Sequence, residues 1–187
     1  MAGSTENGSG WRRSRWRKAV WSTAAFLLLL PLVAMQFTTE MNWDETDFIV
    51  FSAMLVIACG TYELAAMAME NSAYRAAIGT ATAGAFLLVW MNLAVGVIGT
   101  EENPLNLMYG GVIVVGIAGA VIARFQPYGM ASAMMVVALA QVFVAVIAQV
   151  AGHFTWVLTA VFVALWLGSA WLFRKAARDQ MRVASRA

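Results

Sequence analysis

The sequence predicts an all-α protein: a polytopic transmembrane helix bundle of six spans with both termini in the cytoplasm. Three observations point there. Of 187 residues, 61 % are hydrophobic and 12 % charged, against about half and about a quarter in soluble domains. The mean hydropathy is +0.73. Six separate stretches also reach the roughly 20 mostly apolar residues that a spanning helix needs. They run at about 19–37, 48–69, 76–99, 104–123, 131–151 and 154–173. Lipid offers backbone groups no water, so apolar segments of this length must be helical. The period-two alternation of a membrane barrel is not visible.

The elements follow in order. Residues 1–18 read as a disordered basic tail, ending in a run with Arg12, Arg13, Arg15, Arg17 and Lys18. The first span resembles a signal peptide, but its apolar run is long and no convincing cleavage site follows, so it is expected to stay as an anchor. Pro31 falls inside it and is expected to kink it. Asp44, Glu45 and Asp47 open the second span, where acids suit the positive end of the helix dipole. Asn103-Pro104 has the form of an N-cap followed by proline at the first helical position. Gln126-Pro127-Tyr128-Gly129 is a turn signature. Gly110, Gly111, Gly116 and Gly119 crowd the fourth span, and small residues permit close helix approach. That span is therefore expected at the centre of the bundle. Residues 174–187 read as a basic cytoplasmic tail.

Orientation comes from the basic residues. Besides the five before the first span, Arg75 lies between spans two and three and Arg124 between four and five. Arg174, Lys175, Arg178, Arg182 and Arg186 follow span six. These are all twelve, and none falls in the other three loops. The positive-inside rule then places both termini in the cytoplasm. Tryptophans at 11, 16, 21, 43, 156, 166 and 171 fall near span ends, as interfacial rings do.

Several classes of function lose support. A single cysteine, Cys59, gives no disulfide, redox pair or cysteine-based zinc site. A single histidine, His153, cannot supply a bis-histidine haem. A net charge of +2 does not point to nucleic acid. Protease, hydrolase, Walker A and dinucleotide motifs do not occur. The residues call for no cofactor and no metal, and nothing marks an enzyme. The twelve methionines are scattered and read as adaptable packing rather than a copper site.

The candidate site residues are polar groups inside the spans. Glu63 is the sharpest, because ionisable groups within spans are costly and often functional. The competing reading pairs it with an arginine such as Arg75 or Arg124. Asn92 lies in the outer third of span three. Gln141 lies near the middle of span five, and Gln149, eight residues on, is expected on the same face. With Gln36 and His153 these residues are candidates for lining an outward-opening cavity. The competing reading is interhelical hydrogen bonding, worth roughly 0.5–2 kcal/mol each. Arg174, Arg178, Arg182 and Arg186 recur every four residues. On a continued helix they form a basic stripe suited to anionic lipid headgroups or an acidic partner.

Two stretches, NLAVGVIGTEENPLNLMYGG at 92–111 and IARFQPYGMASAM at 122–134, resemble a group of small uncharacterised bacterial inner-membrane proteins. The similarity extends over about residues 20–150. It implies a bacterial inner-membrane setting and carries no catalytic residue over. The expected function is a non-catalytic accessory, assembly or structural membrane component, partnered by lipid and by another membrane protein or further copies of itself. The alternative is a small oligomeric transporter or channel for a proton, ion or small solute.

Overall fold

The computed structural model describes residues 6–37, 43–100 and 102–185, with side chains from residue 17 onward. Among these residues there are six α-helices and no strand: α1 Glu6–Ala34, α2 Glu45–Ala68, α3 Ser72–Ala94, α4 Leu107–Ile122, α5 Pro127–Val150 and α6 Trp156–Ala184. Each of the six, α4 with the 3-10 turn Pro104–Asn106 before it, is long and apolar enough to cross a membrane.

Two boundaries differ from expectation. Helix α1 starts at Glu6, so the basic run expected as a disordered tail is helical from there. Helix α6 runs on to Ala184, through most of the expected C-terminal tail. Arginine and lysine are good helix formers and continue a helix beyond its apolar stretch. In α6 the continuation also packs, since Ala176 and Ala177 are buried. Helix α1 passes through Pro31.

The chain divides into two compact units, residues 1–64 and 65–187. In the first, α2 begins with a reciprocal cap. The Asp47 amide donates to Asp44 Oδ1 at 2.9 Å, and the Asp44 amide donates to Asp47 Oδ2 at 3.0 Å. Two otherwise orphaned donors are thus satisfied in the manner of a capping box. Trp43 packs edge-on against Phe48 and Phe51 at 5.4 and 5.3 Å. Phe51, Leu55 and Cys59 form the buried face of α2.

In the second unit the helices adjoin in the order α4, α5, α6, α3, with a slight contact between α3 and α4. Helix α5 is the central element: half of its span is buried, against 17 % for that of α4. The expectation that the glycine-rich fourth span is central is therefore corrected. Its glycines do allow close approach, but to α5 alone. A Cβ on Gly119 would meet Ala133 Cβ at 2.8 Å, and one on Gly116 would meet Val137 at 3.4 Å, whereas Gly110 and Gly111 face open space. Between α3 and α6, Ser169 Oγ donates to the Ala77 carbonyl at 2.9 Å, and Tyr74 meets Phe173 edge-on. Gly84 makes room for the Trp166 indole.

The ends of these helices are closed from within. Asn71 caps α3 through the Tyr74 amide. After α4, the Phe125 amide reaches back to the Ala120 carbonyl and the Arg124 amide to that of Val121. This is a Schellman closure, made here with two non-glycine residues at positive φ, 48° and 56°. Tyr74 Oη donates to the Phe125 carbonyl at 2.6 Å and pins the turn. After α5 the same closure uses Gly152 at φ 85°.

The glycine contacts give a paired prediction. Gly119→Ala loses about 1–3 kcal/mol through overpacking against Ala133. Gly110→Ala, set in open space, is neutral or gains up to about 1 kcal/mol of helix propensity. Thermal unfolding of the two variants in detergent checks the difference.

Candidate functional site

Each intramembrane polar residue singled out in the sequence has a definite environment. Glu63 lies near the end of α2. Arg17 and Trp21, one turn apart on α1, present their polar groups on one side. Arg17 Nε pairs with Glu63 Oε1, and Trp21 Nε1 donates to Oε2 at 3.0 Å. Both carboxylate oxygens are engaged, and the carboxylate side chain is 17 % exposed. The partner is thus Arg17, in place of the Arg75 or Arg124 expected. Charge-assisted hydrogen bonds of this kind are among the stronger polar contacts.

The other three candidates belong to the second unit. Asn92 Nδ2 donates to the Asn106 carbonyl at 3.0 Å. Asn106 was not among the candidates, and it holds the whole α3–α4 connection. Its Oδ1 accepts from the Val97 and Ile98 amides at 3.1 and 2.8 Å, and its Nδ2 donates to the Thr100 carbonyl at 2.7 Å. Only 4 % of Asn106 is exposed. The signal available was its place two residues after Asn103-Pro104. Asn103 behaves as read, its Oδ1 accepting from the Leu105 amide. Its Nδ2 lies 3.4 Å from His153 Nε2, and His153 also lies against Gly99, whose φ of 70° suits glycine. His153 thus joins the 95–106 segment to the turn after α5.

Gln141 and Gln149 do not share a surface. Gln141 is 1 % exposed, while Gln149 is exposed and accepts from Trp156 Nε1 at 3.0 Å. Eight residues at 3.6 per turn leave a rotation of roughly 80°, enough to move one glutamine inside and the other out. Gln36 is exposed in the turn after α1, which belongs to the first unit. Glu63 also belongs to the first unit, and the residues expected to line one outward-opening cavity divide, Gln36 falling in the first unit and Asn92, Gln141, Gln149 and His153 in the second.

Two of these candidates, Asn92 and Gln141, also belong to a set of buried polar groups whose other members were not foreseen. Side-chain atoms of Gln141, Thr159 and Trp166 are buried without a hydrogen-bond partner among the described residues, as is Asn92 Oδ1. The Tyr109 and Thr155 hydroxyls interact with each other.

The basic residues after span six stand on the extension of α6. Arg174 turns toward α5, donating to Met135 Sδ at 3.0 Å. Trp171, Lys175, Arg178, Asp179 and Arg182 line a shallow recess, with the Lys175 ammonium over the Trp171 ring at 5.9 Å. Arg174 thus touches α5 while remaining exposed, and Lys175 stands with Arg178 and Arg182 in the recess. Arg186 lies outside the described residues, as does Met41. Among the described residues, no three His, Cys, Asp or Glu side chains come together as a metal site would require.

Asn106→Ala strands two amides and removes a buried clamp. Unpaired buried groups cost about 1–3 kcal/mol each, so it should lose more than Asn106→Asp, which keeps the acceptor oxygen. Denaturant titration in detergent of both variants measures the order.

The helices and their closures describe a multi-pass membrane protein, and no protein-family model, curated protein or solved structure matches the chain.

Proposed function

We propose that this integral membrane protein is a non-catalytic accessory, assembly or structural component of a bacterial inner membrane, acting through helix contacts. Both termini face the cytoplasm in this reading, because all twelve basic residues fall on that side. The observation that carries the proposal is the environment of Glu63. Its two oxygens are committed to Arg17 and Trp21, so this acid near the end of α2 joins α1 to α2. Asn92 and Gln149 likewise serve contacts near the helix ends.

The partners in this reading are the bilayer, its anionic headgroups, and a second membrane protein or further copies of the chain. Headgroups meet Lys175, Arg178 and Arg182 on the extension of α6, with the exposed Arg174 beside them. A juxtamembrane basic residue contributes about 1 kcal/mol at an anionic surface. Nucleic acid has no place in the reading, and it requires no cofactor.

A second reading, a small transporter or channel, is favoured by one observation: Gln141 is fully buried with its Oε1 unpaired.

Native mass spectrometry after mild extraction, together with liposome flux assays, separates the two. The accessory reading expects a second protein in fixed stoichiometry and background flux from the purified chain. Glu63→Gln should lower folding stability by about 1 kcal/mol without changing flux. A homo-oligomer whose proton or solute flux disappears in Glu63→Gln would overturn the accessory reading.

A further inference from the structure

We infer that the extension of α6 carries a site for one anionic phosphodiester lipid with a hydroxylated head, in which Lys175, Arg178 and Arg182 hold the phosphate and Asp179 accepts from a head hydroxyl. This site rests on the reading above that headgroups meet the extension, and it adds the kind of headgroup and the number bound. Helix α6 has 29 residues. At 1.5 Å per residue it is about 43 Å long, well beyond a hydrocarbon core of about 30 Å. Trp156 opens the helix. Counted from there, Lys175 lies about 28 Å along, at the far edge of the core. Arg178 and Asp179 lie roughly 5 Å further, and Arg182 roughly 10 Å further. The headgroup layer on each side is about 5–8 Å thick. Long helical side chains lean toward the helix N-terminus, so Arg182 leans back toward that layer.

The two faces of the extension differ. Phe173, Ala176 and Ala177 are buried on one side. Trp171, Lys175, Arg178, Asp179 and Arg182 fall on the opposite side, where they line a recess of about 260 Å³. That is room for roughly eight waters, and so for a headgroup rather than a lone ion. Among the described residues none of the three cations forms an ion pair. All three are exposed, while Asp179 is half-buried between them. Trp171 is 57 % exposed and stands where tryptophan meets the membrane interface. The apolar span below it gives acyl chains a surface to lie on.

The lining selects the headgroup. Three cations against one carboxylate leave a surplus of positive charge, which favours an anion. A choline head would set its own cation among three others. Guanidinium groups match phosphate oxygens in pairs. A carboxylate only accepts, so the head must bring a donor to Asp179. A glycerol head brings hydroxyls. A bare phosphate monoester brings further negative charge against the carboxylate.

Native mass spectrometry of the full chain, titrated in detergent with phosphatidylglycerol, phosphatidate or phosphatidylcholine, tests the proposal. One phosphatidylglycerol should bind at least about fivefold more tightly than a second copy or than phosphatidylcholine, about fivefold being the worth of one juxtamembrane cation. It should also bind severalfold more tightly than phosphatidate, although charge alone predicts the reverse order. Arg178→Gln should weaken the first binding about fivefold. Arg124→Gln, which removes an exposed cation from the turn after α4, should leave it unchanged. Asp179→Asn should abolish the preference over phosphatidate. Equal binding of phosphatidylglycerol and phosphatidylcholine by the wild type would overturn the proposal, as would a wild-type preference for phosphatidate. Soluble glycerol phosphate displacing the lipid as well as phosphatidylglycerol does would overturn it too, by assigning the recess to a free phosphate. The wild-type comparisons stand even if a variant fails to fold. They are made on the purified chain, so their failure leaves the accessory reading to be judged on its own by a co-purifying protein and by flux.

Discussion

A bilayer interior gives polar groups nothing to bond to, and this constraint organises the protein. Each helix end and each polar side chain within a span must find its partner in the chain or in something the chain retains. The reciprocal Asp44–Asp47 cap, the Asn71 cap and the Schellman closures after α4 and α5 are local answers. Asn106 is the longest-reaching. One buried amide side chain meets the Val97 and Ile98 amides and the Thr100 carbonyl and so ties down the connection between α3 and α4. Glu63 obeys the same rule across α1 and α2. Its charge is tolerable because Arg17 and Trp21 meet both oxygens.

Close packing follows a different logic, since lipid tails are as apolar as the helices and burial alone does not favour association. Small residues let backbones meet: Gly119 on Ala133, Gly84 beneath Trp166, and Ala77 under Ser169. Helix α5, with alanines at 131, 133, 138, 145 and 148 among its buried positions, becomes the hub. The exposed Gly110 and Gly111 on α4 are left without an intramolecular neighbour.

The spans were legible because length and apolarity alone decide them in lipid. A helix start was legible where a proline followed a capping asparagine, at Asn103-Pro104, whereas Gln126-Pro127-Tyr128-Gly129, expected as a turn before a span starting near 131, already opens α5 at Pro127. Partner choice was not legible. Glycines in α4 announce a close contact but not with which helix, and they met α5 from the flank. The Glu63 partner came from α1, with Trp21 lying 42 residues earlier, a pairing that no local pattern encodes. Gln141 and Gln149 look equivalent at i and i+8, yet the residual helical rotation separated them. Arg174 fits a stripe by spacing, and its contact with the sulfur of Met135 on the neighbouring helix is one that spacing does not announce. In each case the missing information was which faces meet, a property of the whole unit rather than of a window of sequence.

The central claim is that intramembrane polar groups here are structural partners of one another, and the Arg17–Glu63 pair states it most sharply. A double-mutant cycle with Arg17→Gln, Glu63→Gln and the combined variant, read by unfolding in lipid-like detergent, tests it directly. The account predicts that the two losses are far from additive, with a coupling of about 1 kcal/mol, because either change strands the other partner. Strict additivity would contradict it and leave Glu63 free for another role.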